Sequence, residues 1–436
     1  MKKLWDKGES INEFFERFTV GKDPILDVEL APYDVLGSRA HAQMLAKVGL
    51  LTEEESIQLI KGLDQIYQQT QEGTFVIEEG VEDCHSQIEM ILTRELGDVG
   101  KKIHSGRSRN DQVVTALKLY AKDHLVQIAE KVKELFELWQ TKSEASKELL
   151  MPGYTHLQVA MPSSFGLWFG AHAEALVDDL ILLKAAYDIA DKNPLGSAAG
   201  YGSSFNLDRE LTTELMGFSQ PNHNSVYAQM TRGKMEKSVA FAIASLAGTL
   251  AKYAMDVSLY NGQDYAFFKL DKQFTTGSSI MPHKQNPDGF ELVRAKCNKL
   301  QSLPQELMLV LTNLPTGYHR DLQVLKESFV PSIQTILDCL EVTILMTKGL
   351  KVKDGLLDDP KYDLLFTVEY VNQLVLSGTP FREAYQIVGK AVKDGTYLPN
   401  RNVKHSHLGS IGNLGTERIK ESFFKVYNSI SVTSPK

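Results

Sequence analysis

Apolar residues recur at steps of three and four through residues 110–150: Val113, Leu117, Tyr120, Leu125, Ile128, Val132, Leu135 and Leu138. No proline interrupts them, and Ala, Leu, Lys and Glu dominate. The spacing predicts one long helix, ended by Pro152-Gly153. The same pattern predicts long helices over about 163–191, 232–260, 288–312 and 321–348, with Pro304 bending the fourth and Pro331 interrupting the fifth. Spans of roughly 25 to 40 residues far exceed an average globular helix. Such helices need neighbours along their whole length. The expected fold is therefore all-α: a long central helix bundle shared between subunits, with smaller terminal domains.

Around this centre the pattern is shorter. Residues 1–35 read as irregular, punctuated by Gly21, Asp23-Pro24 and Ala31-Pro32. Helical composition runs from Val35 to about Val48. Thr52 followed by Glu55 is a capping-box start, with Leu59, Leu63, Ile66 and Tyr67 as the apolar face behind it. Asp83 to Gly97 reads as another helix. Past Gly349 the segments shorten, and strand signals are few. The pattern divides the chain into a mostly helical part at 1–105, a long-helix domain at 106–350 and a small helical domain at 351–436.

Charge and cysteine content narrow the setting. Over 436 residues the formal net charge is -8, with no long basic run, which argues against a nucleic-acid partner. Anionic small substrates stay open, because a few local cations dominate a pocket. Cys84, Cys297 and Cys339 make neither a close-spaced metal pattern nor a disulfide framework, which fits a reduced, cytoplasmic setting. The opening MKKLWDKGES has no apolar run behind its lysines and does not read as a signal peptide. The apolar stretches near 176–187 and 239–251 are short for membrane spans and read as core helices, so no membrane association is expected.

Five polar clusters sit at the predicted helix ends. Ser105 to Gln112 (SGRSRNDQ) places Arg109 and Asn110 at a helix start suited to a carboxylate, or else forms an ordinary capped helix with solvated arginines. Gly153 to Gln158 (GYTHLQ) places His156 beyond a Pro-Gly break and before a helix. A general acid or base needs that near-neutral group in a fixed position, although a lone histidine is more often structural. Pro194 to Gly202 is rich in small residues but lacks dinucleotide-loop spacing, leaving tight helix packing or close substrate approach. Gly277 to Pro287 (GSSIMPHKQNP) looks like a shaped loop that presents Ser278, Lys284 and Asn286 to an anion. Leu314 to Glu327 brings Tyr318, Gln323 and Lys326 towards one helix start, or is simple helix solvation.

Together, SGRSRNDQVVT, MPGYTHLQVAMP, NPLGSAAGYGSSFNLDRE, GSSIMPHKQNPD and LPTGYHRDLQVLKE resemble the fumarase/aspartase superfamily. The resemblance is specifically to its argininosuccinate lyase and delta-crystallin branch. It implies a homotetramer whose active sites are each built from three subunits, and reversible cleavage of argininosuccinate to arginine and fumarate without metal or organic cofactor. By the same resemblance Ser278 is the catalytic base, His156 the catalytic histidine and Glu291 the acid that orients it. Arg109, Asn110, Thr155, Lys284, Asn286, Tyr318, Gln323, Lys326 and Arg232 match substrate-binding positions, and His85 matches a histidine near the pocket.

The chain departs from the family pattern in three places. Lys284-Gln285 replaces the usual lysine pair. The acidic residues usual around 226–233 are missing. Residues 22–32 read KDPILDVELAP, where an Asn-x-Ser stretch is usual. These departures leave argininosuccinate or a close analogue as the substrate. Some relatives of this family serve as lens structural proteins, but retention of Ser278, His156, Glu291 and Lys284 points to an enzyme.

Overall fold

The computed structural model describes residues 12–430; the opening MKKLWDKGES lies outside them. The irregular reading of residues 1–35 is corrected by two short helices, α1 (Glu13–Val20) and α2 (Asp23–Leu26). Each is too short to show a repeat in sequence. Asn12 caps α1 through its side chain, and Pro24 sits in the first turn of α2, where its missing N–H costs nothing. Helix α3 (Ala31–Lys47) and α4 (Glu53–Gln71) follow. The capping box of α4 forms as expected: Thr52 Oγ1 accepts from the Glu55 N–H at 3.2 Å, and Glu55 accepts from the Thr52 N–H at 3.0 Å. Helix α5 (Cys84–Leu96) starts on the Asp83 side chain and stops at Gly97, and the short α6 spans Asp98–Lys101.

The predicted long helices form the core of the molecule. Helix α7 (Arg109–Ala145) runs for 37 residues. It lies beside α8 (Phe165–Ala190), and after the short α9 (Arg209–Leu215) and α10 (Ser225–Met230) comes α11 (Lys234–Tyr260), which also packs on α8. The predicted helix over 288–312 is two helices, α12 (Asp288–Leu300) and α13 (Leu303–Val310). Pro304 does more than bend it: proline starts the second helix rather than continuing the first. Conversely, α14 (Leu325–Lys348) runs unbroken through Pro331. Phe329, Val330, Ile333 and Ile336 are all buried around that proline, and their packing outweighs one missing backbone hydrogen bond.

Trp139, Phe165, Phe169, Tyr253, Phe290 and Phe329 fill the centre of the bundle. Helices α15 (Thr367–Leu376) and α16 (Phe381–Lys393) form a smaller cluster. The last helix, α17 (Thr416–Tyr427), returns to the bundle, where Phe423 stacks on Phe136 at 3.9 Å between centroids.

One feature was not visible in the helical pattern. Between α7 and α8 an antiparallel hairpin pairs β1 (Leu150–Thr155) with β2 (Gln158–Ser164). His156 and Leu157 form its two-residue tip with φ of 54° and 58°. Both therefore occupy the left-handed region that such tight hairpin turns require. Four further strands of two residues each, β3 (Lys192–Asn193), β4 (Gln220–Pro221), β5 (Phe268–Lys269) and β6 (Lys351–Val352), only clip connections together.

Two helical stretches, Lys234–Tyr260 and Arg320–Lys348, are long and apolar enough by composition to cross a membrane. The apolar run near 239–251 is thus part of a longer helix than its own length suggested. In both stretches 56% of the most apolar window is buried against the rest of the chain, as a core helix would be.

Candidate active site

Seven of the residues singled out in the sequence meet in one cleft of about 560 Å³: His85, Arg109, Asn110, Arg232, Tyr318, Gln323 and Lys326. They arrive from α5, the start of α7, the turn before α11 and the segment entering α14. Arg109 is the first residue of α7. Ser108 caps that helix, its Oγ accepting from the Asn110 N–H at 3.3 Å, while Asp111 accepts from the Ser108 N–H at 2.9 Å. The cap holds Arg109 and Asn110 at the cleft wall.

Asp111 Oδ2 also accepts from the N–H groups of Gly196 and Ala198 at 3.0 and 2.8 Å. This assigns part of the small-residue segment 194–202 to tight packing. A side chain at Gly200 would come within 2.7 Å of Gln229, a contact only glycine avoids. Burial pushes the Asp111 carboxyl up to about 6, against the pull of those N–H donors.

The carboxylate partners of the cleft cations were not found from sequence. Arg109 pairs with Asp83 and donates to Ser86 Oγ at 3.1 Å. Burial opposes ionisation of Asp83, but Arg109, His85 and the Ser86 donors outweigh it and hold its carboxyl at about 2. Arg232 Nε lies 3.0 Å from Glu236, and its guanidinium donates to the Leu322 carbonyl at 2.9 Å. Arg320 pairs with Glu82. Lys326 Nζ lies 2.6 Å from Asp27 and 2.9 Å from Asp23. Gln323 donates its amide N–H groups to the carbonyls of Thr19 and Val20 at 3.1 and 2.9 Å, which ties the cleft to α1. His85 Nδ1 lies 3.0 Å from Asp34, whose carboxyl is held below its ordinary value: His85, Arg107 and Gln112 outweigh its complete burial. Glu236 is four residues from Arg232, but Asp23, Asp27, Asp34, Glu82 and Asp83 sit far from their partners along most of the chain or across separate elements, so no single local motif announces them.

The other predicted residues do not line this cleft. Thr155 and His156 lie exposed on the β1–β2 hairpin rather than in a turn leading directly into a helix. Ser278, Lys284 and Asn286 belong to the loop between β5 and α12, closed at its base by Thr276 and Asn286, whose N–H groups donate to each other's carbonyls at 3.3 and 2.9 Å. Ile280 in this loop is 82% exposed, so none of the described residues covers it. Ser278 Oγ accepts from the N–H groups of Ile280 and Met281 at 3.3 and 3.1 Å. Lys284 is exposed and has no ion-pair partner among the described residues. Glu291 is exposed in the first turn of α12. A single chain thus holds a cleft whose cations are already paired, and elsewhere an unpaired lysine beside a serine that accepts two N–H groups.

The sequence profile of the Lyase family matches residues 11–301. The chain is 58% identical to the argininosuccinate lyase of Bacteroides fragilis over 96% of this chain and 93% of that one. It is 40% identical to the argininosuccinate lyase of Thermotoga neapolitana, over 89% of this chain and 98% of the relative. Among solved structures, EDDS lyase in complex with formate matches with a TM-score of 0.78 at 23% identity, covering 97% of this chain and 91% of that one. A class II fumarase from Schistosoma mansoni matches with a TM-score of 0.73 at 15% identity, covering 94% and 90%. These two likenesses show that the chain shares their mostly helical fold. The chain therefore belongs to the lyase family, in its argininosuccinate lyase branch.

Proposed function

We propose that this chain cleaves argininosuccinate reversibly to L-arginine and fumarate by β-elimination, as a step of arginine biosynthesis, in the cytoplasm and with no metal or organic cofactor. The observation that carries the reading is the convergence of Arg109, Asn110, Arg232, Gln323 and Lys326 in one cleft from distant parts of the chain.

The working site is a composite of three subunits in a homotetramer. Two observations support this. First, the bundle helices carry exposed apolar side chains that a second copy would cover: Ile181 and Leu182 on α8, Phe241 and Met255 on α11, Leu292 on α12, Leu345 on α14. Second, the exposed serine loop holds what the cleft lacks, a cation with no ion-pair partner among the described residues. A succinyl group brings two carboxylates, and the cleft cations already have partners; Lys284 has none among the described residues.

In that assembly the chemistry follows from charge. Taking a proton from the carbon beside a carboxylate builds negative charge on that carboxylate. Groups aimed at the developing charge lower the barrier because they bind the transition state more strongly than the substrate. Lys284 and Asn286 take this role. Ser278 takes the proton. Serine is not a base in neutral water, so the step needs a closed site. The N–H groups of Ile280 and Met281 that point at Ser278 Oγ would stabilise the alkoxide form. His156, oriented by Glu291, keeps the leaving guanidine protonated. Thr155 and Tyr318 position the substrate, and His85 braces the cleft floor.

The direct test follows fumarate release by ultraviolet absorbance with argininosuccinate, adenylosuccinate, malate and aspartate offered separately. Argininosuccinate should be preferred by at least about 100-fold in kcat/KM. Equal or better turnover of another member of the set would overturn the assignment.

A further inference from the structure

We propose that Asp27, Cys84 and His85 form a buried site for a thiophilic divalent ion of the zinc class in the wall of the cleft, and that the ion excludes substrate when it binds. The site inhibits and takes no part in the elimination. Its binding of metal stands apart from the argininosuccinate reading; only the competition with substrate rests on that reading.

The three side chains come from two elements. Asp27 follows α2, and Cys84 and His85 are the first two residues of α5. They are 0%, 0% and 1% exposed. One donor atom from each lies within 4.8 Å of the other two, and among the described residues no other group of His, Cys, Asp or Glu side chains is gathered in this way. A tetrahedral zinc, with bonds of about 2.0–2.3 Å, holds its donors about 3.5 Å apart. The triangle therefore has to close by little more than about 1 Å, within reach of side-chain rotation.

Two further observations point to a ligand. Asp27 Oδ2 and His85 Nε2 are buried with no hydrogen-bond partner. Such atoms are costly to leave bare. Lys326 does not serve them: its ammonium stands 2.6 Å from the other oxygen of Asp27, Oδ1, and 2.9 Å from Asp23. The second observation is the setting of the imidazole. His85 Nδ1 lies 3.0 Å from Asp34 Oδ1. A carboxylate behind one ring nitrogen is how proteins orient a histidine whose other nitrogen takes a metal.

The charges also balance. Asp23 and Asp27 face one lysine, which leaves one negative charge over. When zinc binds, the Cys84 S–H bond breaks, its proton leaves to solvent and a Zn–S bond forms. The ion and the thiolate together add one positive charge and cancel the excess. Until then burial and the carboxylates of Asp27, Asp34 and Asp83 push the thiol well above its ordinary value and keep it protonated. One oxygen, one nitrogen and one sulfur donor suit zinc or cobalt and disfavour magnesium and calcium, which take oxygen ligands. Asp27 and His85 line the cleft, so the ion has an entry path and an open fourth position for water. There it stands beside Lys326, in the space the substrate would fill.

The test uses the full-length assembled protein, cobalt(II) as a spectroscopic probe and zinc as its competitor. Cobalt should produce the near-ultraviolet charge-transfer band of a cobalt–thiolate bond, and zinc should abolish it. Absence of that band in the parent protein would overturn the site, a result that needs no variant to fold. A band that survives Cys84→Ala would do the same, since Cys297 and Cys339 are the other thiols. Cys84→Ala should weaken zinc at least about 100-fold, and Asp34→Asn, which only releases the ring, about 10- to 100-fold. Zinc should raise the KM for argininosuccinate with kcat held, and Cys84→Ala should turn over at the parent rate while resisting the same zinc concentration. Zinc that lowers kcat at unchanged KM would overturn the competition. Without turnover of argininosuccinate, the cobalt and zinc titrations would still read the site.

Discussion

Ser278 and Lys326 show how differently the site residues are held. Lys326 is buried between two acids, so its position is fixed before any substrate arrives. Ser278 lies on a loop that none of the described residues covers, yet its Oγ already accepts two backbone N–H groups. In the proposed reaction these two donors favour the alkoxide, and desolvation has to come from assembly or closure. Ser278→Ala should lower kcat by about 10²- to 10⁴-fold with little change in KM. Substrate deuterated at the reacting carbon provides the check: substantial retained turnover with an unchanged isotope effect would remove serine as the base. His156→Asn should cost a similar factor. These residues were legible in the sequence because each sits in a short polar motif. Asp23, Asp27 and Asp83 were not, since each meets its cation only through the tertiary fold. Asp27 and Lys326, for example, are 299 positions apart.

Helix ends and turns are where local sequence speaks most plainly. Thr52 with Glu55, Asp83 with Gly97, and Ser108 near Asp111 all cap as their side-chain chemistry dictates, because capping needs only neighbours. The β1–β2 hairpin was hidden. Prolines interrupt its alternation, and its tip is His156-Leu157 instead of the Asn-Gly or Asp-Gly that usually marks such a turn. Holding two non-glycine residues in the left-handed region costs about 1–2 kcal/mol each, a strain concentrated on the proposed catalytic histidine.

Two predictions belong to this scale. Gly233, at φ 80° just before α11, leaves no room for a side chain: a Cβ would lie 2.3 Å from Leu311. Gly233→Ala should lower stability by about 1–3 kcal/mol and raise KM through the displaced Arg232, read by thermal unfolding and steady-state kinetics. Asp83, which caps α5 and holds Arg109, sits at about 2 in the folded chain against an ordinary 3.8. Its ionised form is the one the fold favours. That contribution, about 2 kcal/mol, is full above pH 4 and is lost as pH falls towards 2. Asp83→Asn should therefore be less stable than the parent at neutral pH, with the gap closing by pH 2. A gap constant with pH would show that the charge is not responsible.

At the scale of the whole molecule, the long helices were readable because a repeat sustained over many turns outweighs local noise. The errors fell at prolines. Pro304 starts a new helix, while Pro331 is carried through by the buried residues around it. Sequence pattern does not contain that packing. On the single chain the cleft, the hairpin and the serine loop are separate: the hairpin tip and the loop do not line the cleft. The central claim is that these parts meet across subunits, and mixing two inactive variants tests it most directly. Asn110→Ala disables the cleft and Ser278→Ala disables the loop. Co-assembled in equal amounts, they should recover about a quarter of the parent activity, because random mixing makes that share of sites intact when the two residues come from different chains. A mixture as inactive as its components, with co-assembly verified by mass, would contradict the account.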